Sequence, residues 1–177
     1  MTVIVFRDGV IASDSKIISR SWTAVAGFKK VGARIQRGGG DLFGATGETA
    51  YAAKFERWMN SDEFVKFIES GLSDGHPQLE PGARDEQATG LIFTPDNSCI
   101  RIEGNYPAYE IHGDYFAFGT GDLVAIGALH HGATAIEAVQ AAIDHDVLTN
   151  GPVQSIDRAA MLESFNTVDA VMALATA

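Results

Sequence analysis

The order of elements readable in this chain predicts an α+β fold in which antiparallel sheets are layered with helices. Three observations carry that prediction. Apolar runs come in pairs joined by turn residues, beginning with Val3-Ile4-Val5-Phe6, Asp8-Gly9 and Val10-Ile11-Ala12, so strands arrive as hairpins rather than singly between helices. Two stretches, Tyr51 to Met59 and Thr134 to Val147, switch to helical periodicity. The resulting order of strands, two helices, strands and two helices leaves each sheet a pair of helices to cover it.

The first hairpin sets the register of the N-terminus. Asp8 and Gly9 both tolerate the positive φ of a type I′ turn, and with these two as the turn residues Val3 lies opposite Asp14 and Thr2 opposite Ser15. Ser19 to Ala26 is mixed and reads as strand or loop. A second hairpin runs from Lys30 to Ile35, through Arg37-Gly38-Gly39-Gly40, to Asp41-Leu42-Phe43-Gly44-Ala45.

From Gly47 the residues Tyr51, Phe55, Trp58 and Met59 fall on one helical stripe, and Phe64, Phe67 and Ile68 continue a second, short helix to Gly71. The stretch 73–87 carries two prolines, two glycines and five charged residues and is expected to be an exposed loop. Strands resume at Thr89–Thr94 and Ser98–Glu103 around the turn Pro95-Asp96-Asn97, with short extended pieces near Tyr109–His112 and Tyr115–Phe118.

Gly121 to Leu129 is apolar on nearly every side, which predicts a helix buried between layers. Thr134-Ala135-Ile136-Glu137 spells a capping box, and Ile136, Val139, Ile143 and Val147 are expected to face the core from the helix it opens. Val153–Ile156 suits an edge strand, and Met161, Phe165, Val168 and Met172 give the C-terminal stretch an amphipathic helical face.

At 177 residues and 46% hydrophobic content, the chain suits one domain over 1–177, with the exposed loop at about 73–87 and a C-terminal helical extension at about 157–177. A net charge of −10 repels phosphate backbones, so neither nucleic acid nor an anionic membrane is an expected partner, and proteins or peptides are. The single cysteine, Cys99, supplies no disulfide framework and no thiolate cluster, which suits a reducing cytoplasm. No apolar run approaches the roughly 18 residues of a membrane span, and the N-terminal stretch has neither a basic region nor an export-type cleavage site.

No cofactor or metal is expected. His130 and His131 are adjacent, so on a helix they point different ways, and no third ligand is spaced to join them. Gly119-Thr120-Gly121 before a helix is an incomplete phosphate-loop pattern.

The candidate chemistry starts at Thr2. A free α-amino group titrates near about 8, so removal of Met1 would give one residue both a hydroxyl nucleophile and a base, with no need of histidine. An intact Met1-Thr2 bond leaves Thr2 no such amine. A lysine such as Lys30 is ordinarily a solvated surface charge, and a glycine such as Gly47 is ordinarily there for tight strand-to-helix packing.

Taken with Thr2-Val3-Ile4-Val5, Val10-Ile11-Ala12-Ser13-Asp14, Lys29-Lys30-Val31, Gly44-Ala45-Thr46-Gly47 and Phe118-Gly119-Thr120-Gly121-Asp122, the order of elements resembles that of the N-terminal-nucleophile hydrolases. Within them it is most similar to proteasome β-type subunits of the bacterial HslV type, over roughly residues 2–154. The resemblance implies a four-layer αββα sandwich and a threonine peptidase with Thr2 as nucleophile. It implies that Asp14 orients Lys30, that Lys30 stabilises the alkoxide, and that the Gly47 N–H holds the oxyanion. Thr120 takes the place of a serine that hydrogen-bonds the amine.

Ile143-Asp144-His145-Asp146-Val147-Leu148-Thr149-Asn150 resembles the family's acid-bearing helix end, with Asp144 as the matching acid and Asp146 two residues away. The hydroxyl residue that the family carries three positions after this acid is Val147 here. The implied partners are peptide or unfolded-protein substrates, copies of the chain in a homo-oligomer or ring, and an ATPase unfoldase. The family's second helix is long and lines a subunit contact, and here it is cut short. Two alternatives stay open, a non-catalytic ring-forming relative and an amidase acting on small amides.

Overall fold

The computed structural model describes residues 2–18, 24–25, 27, 29–36, 39–73, 75–77, 88–104 and 106–175. In chain order the first half holds strands β1 (Val3–Arg7), β2 (Val10–Ser13), β3 (Ile17–Ile18), β4 (Ala24–Val25), β5 (Val31–Gln36) and β6 (Gly39–Thr46), then helices α1 (Thr49–Met59) and α2 (Asp62–Glu69). The second half holds β7 (Thr89–Phe93), β8 (Cys99–Glu103), β9 (Tyr109–Ile111), β10 (Tyr115–Gly119), α3 (Asp122–His130), α4 (Ala135–His145), β11 (Gln154–Asp157) and α5 (Arg158–Ala175). One sheet runs β10-β1-β2-β11 and the other β5-β6-β7-β8-β9, while β3 and β4 form a small separate ladder. Every pairing is antiparallel.

Period-two alternation sorts the side chains into layers. Along β1, Val3 and Val5 face α3 and α4, while Ile4 and Phe6 face the other sheet. Along β6 and β7, Phe43 and Ile92 face α1 and α2, while Leu42, Leu91 and Phe93 face inward. The layers are therefore helices, sheet, sheet, helices, the four-layer αββα sandwich. Between the sheets Phe6 stacks on Phe93 with ring centroids 4.5 Å apart. Each such buried ring contributes roughly 1.5–3 kcal/mol relative to exposure.

The first hairpin has the register its turn dictates. Asp8 and Gly9 take φ of 50° and 75°, Ile4 pairs with Ser13, and the Asp14 N–H donates to the Val3 carbonyl. At this turn end of the sandwich α5 is anchored by Arg158. Its N–H donates to Gly9 O, its guanidinium donates to Phe93 O and Asn97 Oδ1, and the cation lies over the Phe6 ring. The opposite end is left for the cluster around Thr2.

Tyr51, Phe55, Trp58, Met59, Phe64 and Phe67 are buried as their periodicity predicts, whereas Ile68 is half-exposed. Two other expectations are corrected. Helix α3 does not lie between layers: it forms part of an outer layer, buries Ala125 and Leu129, and leaves Leu123 84% exposed. On α4 the capping box forms as predicted, yet Ile136 faces solvent, the helix ends at His145 so that Val147 lies exposed beyond it, and the sheet is met by Ala135, Ala138, Val139 and Ala142. Small alanines let the α4 backbone approach the sheet, so the larger apolar residues beside them are turned outward. Phe165 of α5 is likewise exposed, and the side chains of Val168 and Met172, like the loop stretch 78–87, lie outside the described residues.

Candidate active site

Five chain segments deliver their ends to one edge of the sandwich: the start of β1, the residues after β2, those before β5, those after β10 and the loop after α4. Thr2 precedes β1 and is 3% exposed. Its hydroxyl donates to Asp14 Oδ1 at 2.7 Å. The same oxygen accepts from the Val3 N–H at 3.0 Å and from Lys30 Nζ at 2.7 Å. Thr2 Oγ1 and Lys30 Nζ therefore lie no further apart than two hydrogen-bond lengths.

Lys30 is the last residue before β5, on the sheet opposite Asp14, and its side chain is 4% exposed. Burial pulls its ammonium below the usual lysine range, and Asp14 opposes that pull by charge and by hydrogen bond. An ion pair this deeply desolvated is held by geometry rather than by net Coulomb gain. The geometry has a second strut, since the Lys30 N–H donates to Gln154 Oε1 at 3.3 Å and Gln154 pairs with Ser13 in the first sheet.

The other Asp14 oxygen accepts the N–H groups of Lys16 at 3.3 Å and Asn150 at 3.4 Å. Thr120, after β10, wraps the Thr2 backbone: the Thr2 N–H donates to Thr120 Oγ1 at 3.3 Å and that hydroxyl donates to Thr2 O at 3.2 Å. Gly119 makes this approach possible. It sits at φ 109°, and a Cβ there would lie 2.2 Å from Thr2 O.

Gly47 follows β6 and precedes α1. Ala45, two residues earlier, donates its N–H to the Lys30 carbonyl at 3.4 Å, so the Gly47 turn leaves the sheet just beyond Lys30. At φ 93°, and with a Cβ calculated to fall 2.6 Å from Ala88 Cα, the position requires glycine on backbone grounds alone. Its amide sits one residue before the Glu48 N-cap of α1, where unpaired N–H groups and the helix dipole favour negative charge.

Asp144 does not join the cluster. It is exposed on α4 and its carboxylate accepts from Gln140 at 2.8 Å. The acid that turns inward is Asp146, which caps α4 and accepts from the Leu148 N–H at 3.1 Å and from Thr149 Oγ1 at 2.5 Å. Thr149 is 1% exposed. Asp146 and Thr149 thus hold the acid and hydroxyl three residues apart that the sequence motif calls for, two positions beyond the expected match. That spacing was readable in the sequence and is the signal that separates Asp146 from Asp144. Gln154 had no sequence signal, because it acts through an inter-sheet contact, whereas Asn150 closes the quoted motif and acts through its backbone N–H.

Beside Lys30 opens a cavity of about 200 Å³, walled by Val31, Phe43, Ala45, Ala52 and Ala53. Lys29 and Glu56, paired at 3.1 Å and both largely exposed, border it. The recess is smaller than the about 300–1,000 Å³ usual for small-molecule sites. Among the described residues no group of three or more His, Cys, Asp or Glu could hold a metal ion.

No family model and no curated protein matches the sequence. Solved structures do match in three dimensions. Thiobacillus denitrificans BPH in complex with epoxomicin aligns with a TM-score of 0.57 and 20% identity over 88% of this chain and 96% of that one. Thiobacillus denitrificans BPH in a second structure gives 0.56 and 20% over 88% and 95%. Eukaryotic HslV from Trypanosoma brucei gives 0.58 and 17% over 89% and 99%. At such identities the likeness is one of fold: the chain has the proteasome β-subunit-like, HslV-type fold of the N-terminal-nucleophile hydrolases.

Proposed function

We propose that this chain is a threonine peptidase whose nucleophile is Thr2, exposed by removal of Met1. The observation that carries the reading is the meeting of Thr2 Oγ1 and Lys30 Nζ on one buried carboxylate oxygen of Asp14. A lysine and an aspartate are seldom buried without a task, and here both serve a hydroxyl at the head of a strand.

In the proposed reaction the free Thr2 amine takes the proton from Oγ1 as the oxygen attacks a peptide carbonyl carbon. The Lys30 ammonium, held charged by Asp14, stabilises the forming alkoxide, and the Gly47 N–H receives the carbonyl oxygen as it becomes an oxyanion. The amine's proton passes to the departing peptide nitrogen. Water then adds to the acyl ester and restores Oγ1. Thr120 holds the amine through the contact that now fixes the Thr2 N–H. The apolar recess beside Lys30 receives a medium-sized apolar side chain of an unfolded protein or peptide. Association with further copies in a ring, and with an ATPase unfoldase, belongs to the same proposal and draws on the fold alone.

One observation favours a second reading, a non-catalytic relative. With Met1 attached, Thr2 N is an amide, and the hydroxyl is already committed to Asp14. The test compares protein retaining Met1, protein cleaved to begin at Thr2, and the cleaved form with Thr2→Ala, against a peptide library and a threonine-directed covalent inhibitor. The proposal expects hydrolysis and a single covalent label in the cleaved wild type only. A folded, cleaved wild type that neither hydrolyses nor is labelled would replace it with the non-catalytic reading.

A further inference from the structure

The two sheets face each other through apolar side chains, Ile4, Phe6 and Ile11 from one and Leu42, Leu91 and Phe93 from the other. Apolar contact is non-directional and does not by itself fix how far one sheet is offset over its neighbour. The candidate site depends on that offset, because Asp14 follows β2 of the first sheet and Lys30 precedes β5 of the second. Asp14 meets Lys30 only at Nζ, the far end of a flexible four-carbon stem. Gln154 crosses the same gap to the other end of that residue, where its Oε1 accepts the Lys30 N–H at 3.3 Å.

Both partners in this link are constrained. β11 pairs along β2 from Gln154 opposite Ser13 to Asp157 opposite Val10, and beyond its far end the Arg158 N–H donates to Gly9 O. Gln154 therefore stands opposite the residue that precedes Asp14, on a strand held at both ends. The β5 ladder begins with Val31 paired to Gly44, so the Lys30 amide lies outside it, and with the residue 7% exposed a lost acceptor would leave that donor buried and unpaired. We propose that Gln154 is a positioning residue: by tying the Lys30 backbone to the strand pair that carries Asp14, it fixes where the ammonium stands against Asp14 Oδ1 and Thr2 Oγ1. Attached at both ends to one frame, the lysine stem loses the slack that would let its head drift. A misplacement of about 1 Å in such a group costs about 10²-fold in rate. The effect on rate rests on the peptidase reading, whereas the placement of the ammonium does not.

Substitutions at Gln154 separate an acceptor from a filler of space. Gln154→Met keeps length and volume and removes the acceptor, Gln154→Glu keeps the acceptor, and Gln154→Asn stays polar but is a methylene too short. In protein cleaved to begin at Thr2, methionine and asparagine should lower kcat by about 10- to 10²-fold with little change in KM. Glutamate should recover most of the rate, with kcat taken from the plateau of each pH profile so that the charge it adds is discounted. A folded methionine or asparagine variant at the wild-type rate, or a glutamate variant no faster than these, would overturn the proposal. Nitrogen NMR of protein retaining Met1 reads the Lys30 ammonium without any reaction. A slowly exchanging ammonium signal should be present in wild type and Gln154→Glu and lost in Gln154→Met and Gln154→Asn. A cleaved wild type without activity would sink the peptidase reading alone, while an ammonium signal that survives in the methionine and asparagine variants would overturn the role of Gln154.

Discussion

Asp14 Oδ1 takes the hydroxyl proton of Thr2 and a proton of the Lys30 ammonium at the same distance, 2.7 Å. One atom thereby fixes the candidate nucleophile and its candidate electrostatic partner relative to each other, and the first prediction tests that atom. Asp14→Asn leaves the buried ammonium without its counter-charge, which costs about 3–5 kcal/mol. Denaturant midpoints should fall accordingly. The double variant Asp14→Asn/Lys30→Met should regain much of the stability and, under the proposed function, show no hydrolysis in the form cleaved to begin at Thr2. Loss of stability in the double variant as large as in the single would show that the pair is not coupled in this way.

Thr120 offers a milder change. Replacing it with valine keeps the shape and removes the hydroxyl that holds Thr2 N and O. The expected outcome is a fall in kcat of about 10²-fold with little change in KM, and recovery in Thr120→Ser. Steady-state kinetics on the cleaved form would settle it. Equal rates for the valine and serine variants would remove Thr120 from the mechanism.

Gly47→Ala should be costly twice over. The added Cβ meets Ala88 Cα at 2.6 Å in a backbone with φ 93°, which predicts roughly 1–3 kcal/mol of lost stability. If the Gly47 N–H receives the oxyanion, activity should fall further than unfolding explains, by about 10²–10³ under conditions where the variant is fully folded. Activity matching the folded fraction would leave Gly47 a packing residue.

Cys99 gives a pH dependence. Burial pushes its thiol up to about 12, against an opposing pull from Arg101, while the thiol of the unfolded chain keeps the ordinary value of 9.0. The folded state thus holds its proton longer, and this contribution to stability is complete below about pH 9 and is lost as pH rises toward about 12. Tyr51, raised by burial, acts with the same sign, and Lys30, lowered by burial, acts with the opposite one. The clean measurement is therefore the difference in unfolding free energy between wild type and Cys99→Val across pH 8 to 11, which should narrow with rising pH. A constant difference would refute the assignment.

The hairpins, the layering and most of the core were legible because they depend on local rules: Asp8-Gly9 dictates one register, and a stripe such as Tyr51, Phe55, Trp58 and Met59 has one way to be buried. Meeting of Thr2 with Asp14 follows from that register. What was not legible depends on neighbours distant in sequence. Ile136 looks like a core residue until Ala135, Ala138 and Ala142 bring α4 close to the sheet. The apolar α3 reads as buried because one chain cannot show that its outer face lies open. Asp146, by contrast, was distinguishable from Asp144 locally, because a hydroxyl residue, Thr149, follows it by three positions whereas Val147 follows Asp144.

Asp14 gathers five hydrogen-bond donors, from Thr2, Val3, Lys16, Lys30 and Asn150. The last of these joins it across 136 positions of chain. Contacts so far apart in sequence close late, because loop entropy must be overcome first. A nascent chain therefore lacks the Asn150 donor until that residue has been synthesised and docked, and the full set of five donors on Asp14 exists only once the sandwich has closed. In temporal terms the carboxylate records the order of assembly: its first donors come from the opening hairpin and its last from the loop that completes the sandwich around it.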